Sequence, residues 1–167
     1  MFYSIWQMSW GWMGAMGDEG GLAYLTLPRD DRELVYRELR DHAAGELADN
    51  PAWFTGLRQL LDRYFQGEYV DFREISLQWD LVTPYRRRVL AKAQEIPYGE
   101  TRTYKWLAEA VGNPKGARSV GQAMAHNPWP LIVPCHRVIG TNGRLTGFGG
   151  GLSMKERLLA LESKGRK

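Results

Sequence analysis

Residues 127–140 read Asn-Pro-Trp-Pro-Leu-Ile-Val-Pro-Cys-His-Arg-Val-Ile-Gly, a mostly apolar run interrupted by prolines at 128, 130 and 134. Prolines this dense deny the backbone both a continuous helix and a regular strand ladder. The apolar content nevertheless places the run inside a core, so a buried, irregular segment is predicted. Cys135 and His136 lie within it. On a regular strand neighbouring side chains point to opposite faces, so a Cys135–His136 dyad requires a turn there. Cys135 is the single cysteine of the chain, which excludes an intramolecular disulfide and a four-cysteine zinc site and fits a reducing compartment. A lone buried cysteine is ordinarily a small hydrophobe. A histidine beside it can instead supply the base that turns the thiol into a nucleophile. A third group has to orient the imidazole, and Glu156 and Glu162 downstream are the candidates, because only five acids lie beyond residue 83.

Upstream, Thr83-Pro84 opens a helix with a cap hydroxyl followed by a proline where its missing N–H does no harm. That helix carries Arg86, Arg87, Arg88, Val89 and Leu90 and stops before Ile96-Pro97-Tyr98-Gly99. A short helix is predicted over 103–111, closed by Gly112, and Asn113-Pro114 opens another that runs to about Ala125. Two short helices around a tight glycine turn make a helix-turn-helix candidate, or else a hairpin that only packs. Gly116 and Gly121 inside the second helix each cost about 1 kcal/mol relative to Ala. Small residues on one face suit close approach by another helix or by a ligand, and Arg118 rises from that face as a cation suited to a nucleic-acid groove. Downstream come a Gly-rich loop over 140–151 and a last helix. Ser153 and Glu156 read there as a capping box, with Leu158, Leu159 and Leu161 facing inward.

The first half has a different texture. Apolar residues from Phe2 to Trp12, the turn Gly17-Asp18-Glu19-Gly20-Gly21 and the run 22–27 predict a hairpin. Asp30 and Asp31 cap a helix with Leu34, Val35 and Leu39 at helical spacing. A second helix starts near Pro51 and ends at Gly67, and 72–79 reads as a strand. The first 17 residues carry no charged side chain, but no basic residue precedes them, and Ser4, Gln7 and Ser9 interrupt a run short for a membrane span. They are expected to be structured parts of a soluble, cytoplasmic, monomeric protein. The fold class expected is α/β (α+β): a small mixed sheet-and-helix domain over 1–80, then a mostly helical helix-turn-helix domain over 81–167.

Charge divides along the same line. The 167 residues carry a net charge of +3, with 44% hydrophobic and 25% charged residues, ordinary globular usage that excludes disordered and collagen-like chains. Residues 1–83 hold 7 Lys/Arg against 14 Asp/Glu, and residues 84–167 hold 15 against 5. A polyanion partner therefore suits the second half only.

From Thr83 to Glu162 the residues become specific. Ile96-Pro97-Tyr98-Gly99-Glu100-Thr101, Gly112-Asn113-Pro114, Ala117-Arg118-Ser119-Val120-Gly121, Asn127-Pro128-Trp129-Pro130 and Pro134-Cys135-His136-Arg137-Val138-Ile139 together resemble the O6-alkylguanine-DNA alkyltransferase family. The resemblance implies a DNA-repair protein that acts once on double-stranded DNA, accepting the alkyl group onto its own cysteine without a cofactor or metal. Cys135 would be the acceptor, His136 its base through a water, Glu162 the imidazole's partner and Asn127 a brace. Tyr104 would press on the target phosphate and hydrogen-bond the flipped guanine, and Arg118 would fill the gap in the stack. Arg86, Lys105, Asn113 and Thr141 would contact DNA, and Met124, Phe148 and Gly149 would line the base pocket and its lid. Some relatives have a Tyr-Ser pair where Phe148-Gly149 stands, so this lid lacks two hydroxyls. Two other readings are a damage-binding relative that transfers nothing, against which Cys135 argues, and a helix-turn-helix regulator.

Overall fold

The computed structural model describes residues 1–145 and 151–165, and the chain divides into two compact units, Met1–Gln78 and Trp79–Lys167. In the first unit the uncharged N-terminal run forms two strands, β1 (Phe2–Met8) and β2 (Gly11–Asp18), and β3 (Gly21–Leu25) follows the glycine turn. The expected hairpin is thus β2–β3. A second turn, at Ser9-Trp10, splits the leading run and adds β1 on the other side of β2. A two-residue strand, β4 (Ala48–Asp49), pairs parallel to β1 and completes the order β3-β2-β1-β4. β2 and β1 are the inner strands, and β2 is buried from Met13 to Gly17, which accounts for the absence of charge before Asp18.

Helix α1 (Arg32–His42) is capped by Asp31, whose carboxylate accepts from the Leu34 N–H at 2.9 Å. Val35 and Leu39 join Met16 and Ala23 in a core cluster, whereas Leu34, expected on the same face, is exposed. Pro51–Phe54 forms a 3-10 turn that leads into α2 (Thr55–Phe65), which buries Leu57, Leu61, Tyr64 and Phe65. The strand expected over 72–79 does not form. The segment is irregular and touches the sheet through one bridge, Leu22 to Leu77. Its alternating apolar residues are satisfied by burying Phe72 and Leu77 without a ladder.

The second unit holds α3 (Pro84–Ala93), α4 (Tyr104–Ala110) and α5 (Ala117–Ala125), which pack on one another. Thr83 and Thr103 cap the first two, accepting from the backbone N–H of Arg86 and Trp106, contacts worth about 1 kcal/mol each. The turn between α4 and α5 differs from expectation. Gly112 takes a φ of 79°, the left-handed conformation glycine adopts freely, and Asn113–Gly116 is a further turn closed by Gly116 N–H to Asn113 O at 2.8 Å. α5 therefore starts at Ala117, and Gly116 sits at its cap without the cost of an interior glycine.

After α5 the chain folds irregularly through Trp129 to Val133, all buried, with Leu131 at a φ of 75°. Cys135–Arg137 is a single 3-10 turn, followed by β6 (Val138–Ile139), which pairs parallel with β5 (Arg102–Thr103). α6 (Leu152–Gly165) closes the chain. It begins before Ser153, so that residue lies within the first turn and the expected capping box with Glu156 is not made. Leu158 is buried as expected, but Leu159 and Leu161 are only partly so. The other fully buried positions on this helix are Lys155 and Glu162. Among the described residues no helix is long and apolar enough to cross a membrane.

Candidate active site

The turn at Cys135–Arg137 places three consecutive functional side chains in one buried neighbourhood, which a strand would have split between two faces. Its position is held from three directions. The Asn127 amide donates to Val133 O at 2.9 Å and its oxygen accepts from the Trp129 N–H at 2.9 Å, bracing the proline-rich approach. The β5–β6 pairing ties the residues after the turn to the chain just before Tyr104. From α6, Glu162 reaches the turn itself.

Glu162 is the hub. Its Oε2 lies 2.6 Å from His136 Nε2, and Arg137 forks both of its oxygens, Nε to Oε1 at 2.8 Å and Nη2 to Oε2 at 3.0 Å. Oε1 also accepts the Gly99 N–H at 3.1 Å. Burial alone would raise the pKa of Glu162, but His136 and the Arg137 fork outweigh it and hold the carboxyl well below the usual range. His136 is fully buried, and burial drives its pKa down against the pull of Glu162. The resting arrangement is therefore an ionised Glu162, a permanently charged Arg137 and a neutral imidazole. His136 Nδ1 has no hydrogen-bond partner among the described residues.

Cys135 is buried, and that burial pushes its thiol above the ordinary value. A hydrogen bond from the Asn127 side chain, the charge of Lys155 and the backbone N–H groups of Cys135 and His136 pull it partly back. A protonated thiol at rest needs a base to become a nucleophile, and His136 is the adjacent one. Lys155 is fully buried, donates to Val138 O at 2.6 Å and lies 5.6 Å from the Tyr104 ring centroid.

The structure thus brings Cys135, His136, Glu162 and Asn127 together, with Tyr104 linked to them through Lys155. The other predicted residues spread over the same unit. Arg118 and Lys105 are exposed on α5 and α4, Arg86 is half-buried on α3, and Thr141 is exposed in the turn after β6. Asn113 is engaged internally, donating to the Tyr85 hydroxyl at 3.1 Å. Met124 is buried on α5. Phe148 and Gly149 lie outside the described residues, and Glu156, the alternative partner for the imidazole, is exposed.

Arg137 and Lys155 were given no role from the sequence. A signal existed for both. A charge beside Cys135 in an apolar run must find a counter-charge, and Lys155, Leu158 and Glu162 share a helix face at i, i+3 and i+7.

A helix-turn-helix unit carrying a buried Cys–His–Glu constellation defines the class of protein. Two family descriptions match: "6-O-methylguanine DNA methyltransferase, DNA binding domain" over residues 84–164 and "6-O-methylguanine DNA methyltransferase, ribonuclease-like domain" over 17–79. A methylated-DNA--protein-cysteine methyltransferase of Methanosarcina acetivorans is 41% identical over 162 residues, 97% of this chain and 98% of the relative. One from Mycolicibacterium paratuberculosis is 50% identical over 117 residues, 70% of this chain and 69% of the relative. The crystal structure of Mycobacterium tuberculosis OGT in complex with DNA superposes with a TM-score of 0.82 at 36% identity, covering 98% of this chain and 93% of that one. The chain belongs to the 6-O-methylguanine DNA methyltransferase family.

Proposed function

We propose that this protein repairs DNA by moving the alkyl group of O6-alkylguanine in the duplex onto Sγ of its own Cys135, once per molecule. The observation that carries the reading is the buried Cys135–His136–Glu162 constellation, braced by Asn127, on a helix-turn-helix unit. The thiol proton passes through a water to His136 Nδ1 while Glu162 holds Nε2. Sulfur then bonds to the alkyl carbon, the carbon–oxygen bond breaks, and its electron pair leaves on guanine O6. Hydrogen bonds to the ring stabilise the departing oxyanion, a task assigned to the Tyr104 hydroxyl. The product thioether is not cleaved by any group in the site, so turnover stops at one. No cofactor enters, because the substrate brings the transferred group.

The target atom lies inside the duplex, so the nucleotide is rotated out at a cost of a few kcal/mol. Arg118, exposed on α5, offsets part of that cost by filling the stack. Arg86, Lys105 and Thr141 are assigned to the DNA surface. Asn113 shapes the turn that presents α5, and Met124, Phe148 and Gly149 border the base pocket. Residues 81–167 form the catalytic domain and 1–80 a supporting one. A free thiol as the working group suits the reducing cytoplasm, and the chemistry needs one protomer.

The test is intact mass spectrometry after incubation with duplex DNA containing O6-methylguanine. The protein should gain one methyl group, mapped to the Cys135 peptide, and Cys135→Ala should gain none. Lesion binding without a mass increase would replace this reading with a non-catalytic damage-binding one.

A further inference from the structure

We infer that Arg137 is a positioning residue for the transfer: its clamp on Glu162 holds His136 as the neutral Nε2–H tautomer and keeps Nδ1 as the proton acceptor. The inference rests on the reading of Cys135 as the alkyl acceptor and His136 as its base. Its geometric basis is the way the Glu162 carboxylate is shared. Oε1 accepts from Arg137 Nε and Gly99 N–H, and Oε2 from Arg137 Nη2 and His136 Nε2. The guanidinium plane is fixed in turn by Nη1 donating to Ile96 O at 2.7 Å and by the Tyr98 ring 5.7 Å away. A carboxylate held at both oxygens cannot rotate, so it presents Oε2 to one ring nitrogen only.

Charge then places the proton. His136 faces Glu162 and Lys155 from α6, Arg137 from its own turn, and the uncharged Cys135 thiol beside it. With Arg137 already neutralising Glu162, a proton on His136 would leave an excess cation in the core. Without Arg137, the carboxylate would draw a proton onto the imidazole and form an ion pair. Nδ1 would then be occupied before the thiol could give up its proton. During transfer that obstacle disappears, because the proton arrives as the sulfur becomes negative.

Nitrogen-15 NMR of the imidazole rings tests this in the free protein, where only His42, His126 and His136 contribute. In the wild type His136 should show a protonated Nε2 and an unprotonated Nδ1, unchanged between about pH 6 and 8. Arg137→Met removes both the charge and the fork. His136 should then titrate at a higher pH than in the wild type, with methyl transfer falling as the protonated fraction grows and recovering as pH rises. A wild-type His136 that is charged or Nδ1-protonated at pH 7 overturns the inference. So does an Arg137→Met protein with an unchanged His136 titration but slower transfer, which would mark a purely structural role. If the variant does not fold, the wild-type spectrum decides. Failure of the wild type to take up methyl would remove Cys135 as acceptor and leave the spectrum to judge the clamp separately.

Discussion

Lys155 is an ammonium without solvent exposure, held by Val138 O at 2.6 Å and set against the Tyr104 ring. Burial lowers its pKa from 10.5 to about 8, with the Cys135 sulfur pulling the other way. In the unfolded chain the group titrates near its ordinary value. Between about pH 8 and 10.5 the unfolded state therefore binds more protons, and stability rises with pH across that window. The full cost, roughly 3 kcal/mol, is present below pH 8. Urea unfolding of the wild type and Lys155→Met should show the wild type gaining on the variant between about pH 7.5 and 10; parallel stabilities would mean that the ammonium is not desolvated. A family of apolar side chains could have filled this position more cheaply. The charge of Lys155 favours the thiolate of Cys135 and offsets part of the effect of its burial.

Helix α5 shows how an element is shaped by what is on each side of it. A Cβ built on Gly116 would clash with the Asn113 side chain, which would have to leave the Tyr85 hydroxyl to make room. Around Gly121 nothing lies within 4 Å. Packing against another helix, one of the two explanations the sequence allowed for the small residues, does not account for Gly121. Gly121→Ala should raise stability by about 1 kcal/mol, the ordinary propensity gain. Its added methyl should at the same time weaken duplex binding about tenfold, read by thermal unfolding and fluorescence anisotropy. Unchanged affinity would show that this face of α5 does not meet DNA. The pair of short helices was legible from the cap at Thr83-Pro84, the closing Gly112 and the Asn113-Pro114 that follows it. The start of α5 was not, because Asn113-Pro114 reads equally well as a helix opening and as the turn it forms. The segment 72–79 misled for a related reason: alternation describes which side chains are buried, and the chain buries them with a single bridge to β3, two backbone hydrogen bonds at Leu22, in place of a ladder.

At the scale of the whole molecule, charge is the relevant property. Residues 84–167 carry 15 Lys/Arg against 5 Asp/Glu, and 1–83 carry 7 against 14. Two of the basic side chains, Arg137 and Lys155, are buried in the site and do not face a polyanion. The remainder still leave the second unit strongly cationic. Binding to duplex DNA through phosphate contacts releases counterions, so affinity should fall at least tenfold between about 50 and 200 mM salt. Anisotropy titrations over that range give the slope, and a flat response would remove phosphate contacts as the source of affinity.

Sequence alone determined two short helices around a glycine turn, the buried irregular segment around Cys135, the need for a turn at Cys135–His136 and the short list of acids able to serve the imidazole. These follow from properties carried by neighbouring residues: proline's missing donor, cap hydroxyls, apolar runs and the count of carboxylates. The residues themselves left Glu156 and Glu162 open and the family resemblance pointed to Glu162; tertiary structure sets Glu162 against His136 and leaves Glu156 exposed. It also decided that Arg137 shares that carboxylate and that Lys155 points inward. Those choices depend on which face of α6 meets a turn some 25 residues earlier in the chain, and local sequence does not specify that meeting. Packing sets it, by burying Leu158 and bringing Lys155 and Glu162 in with it.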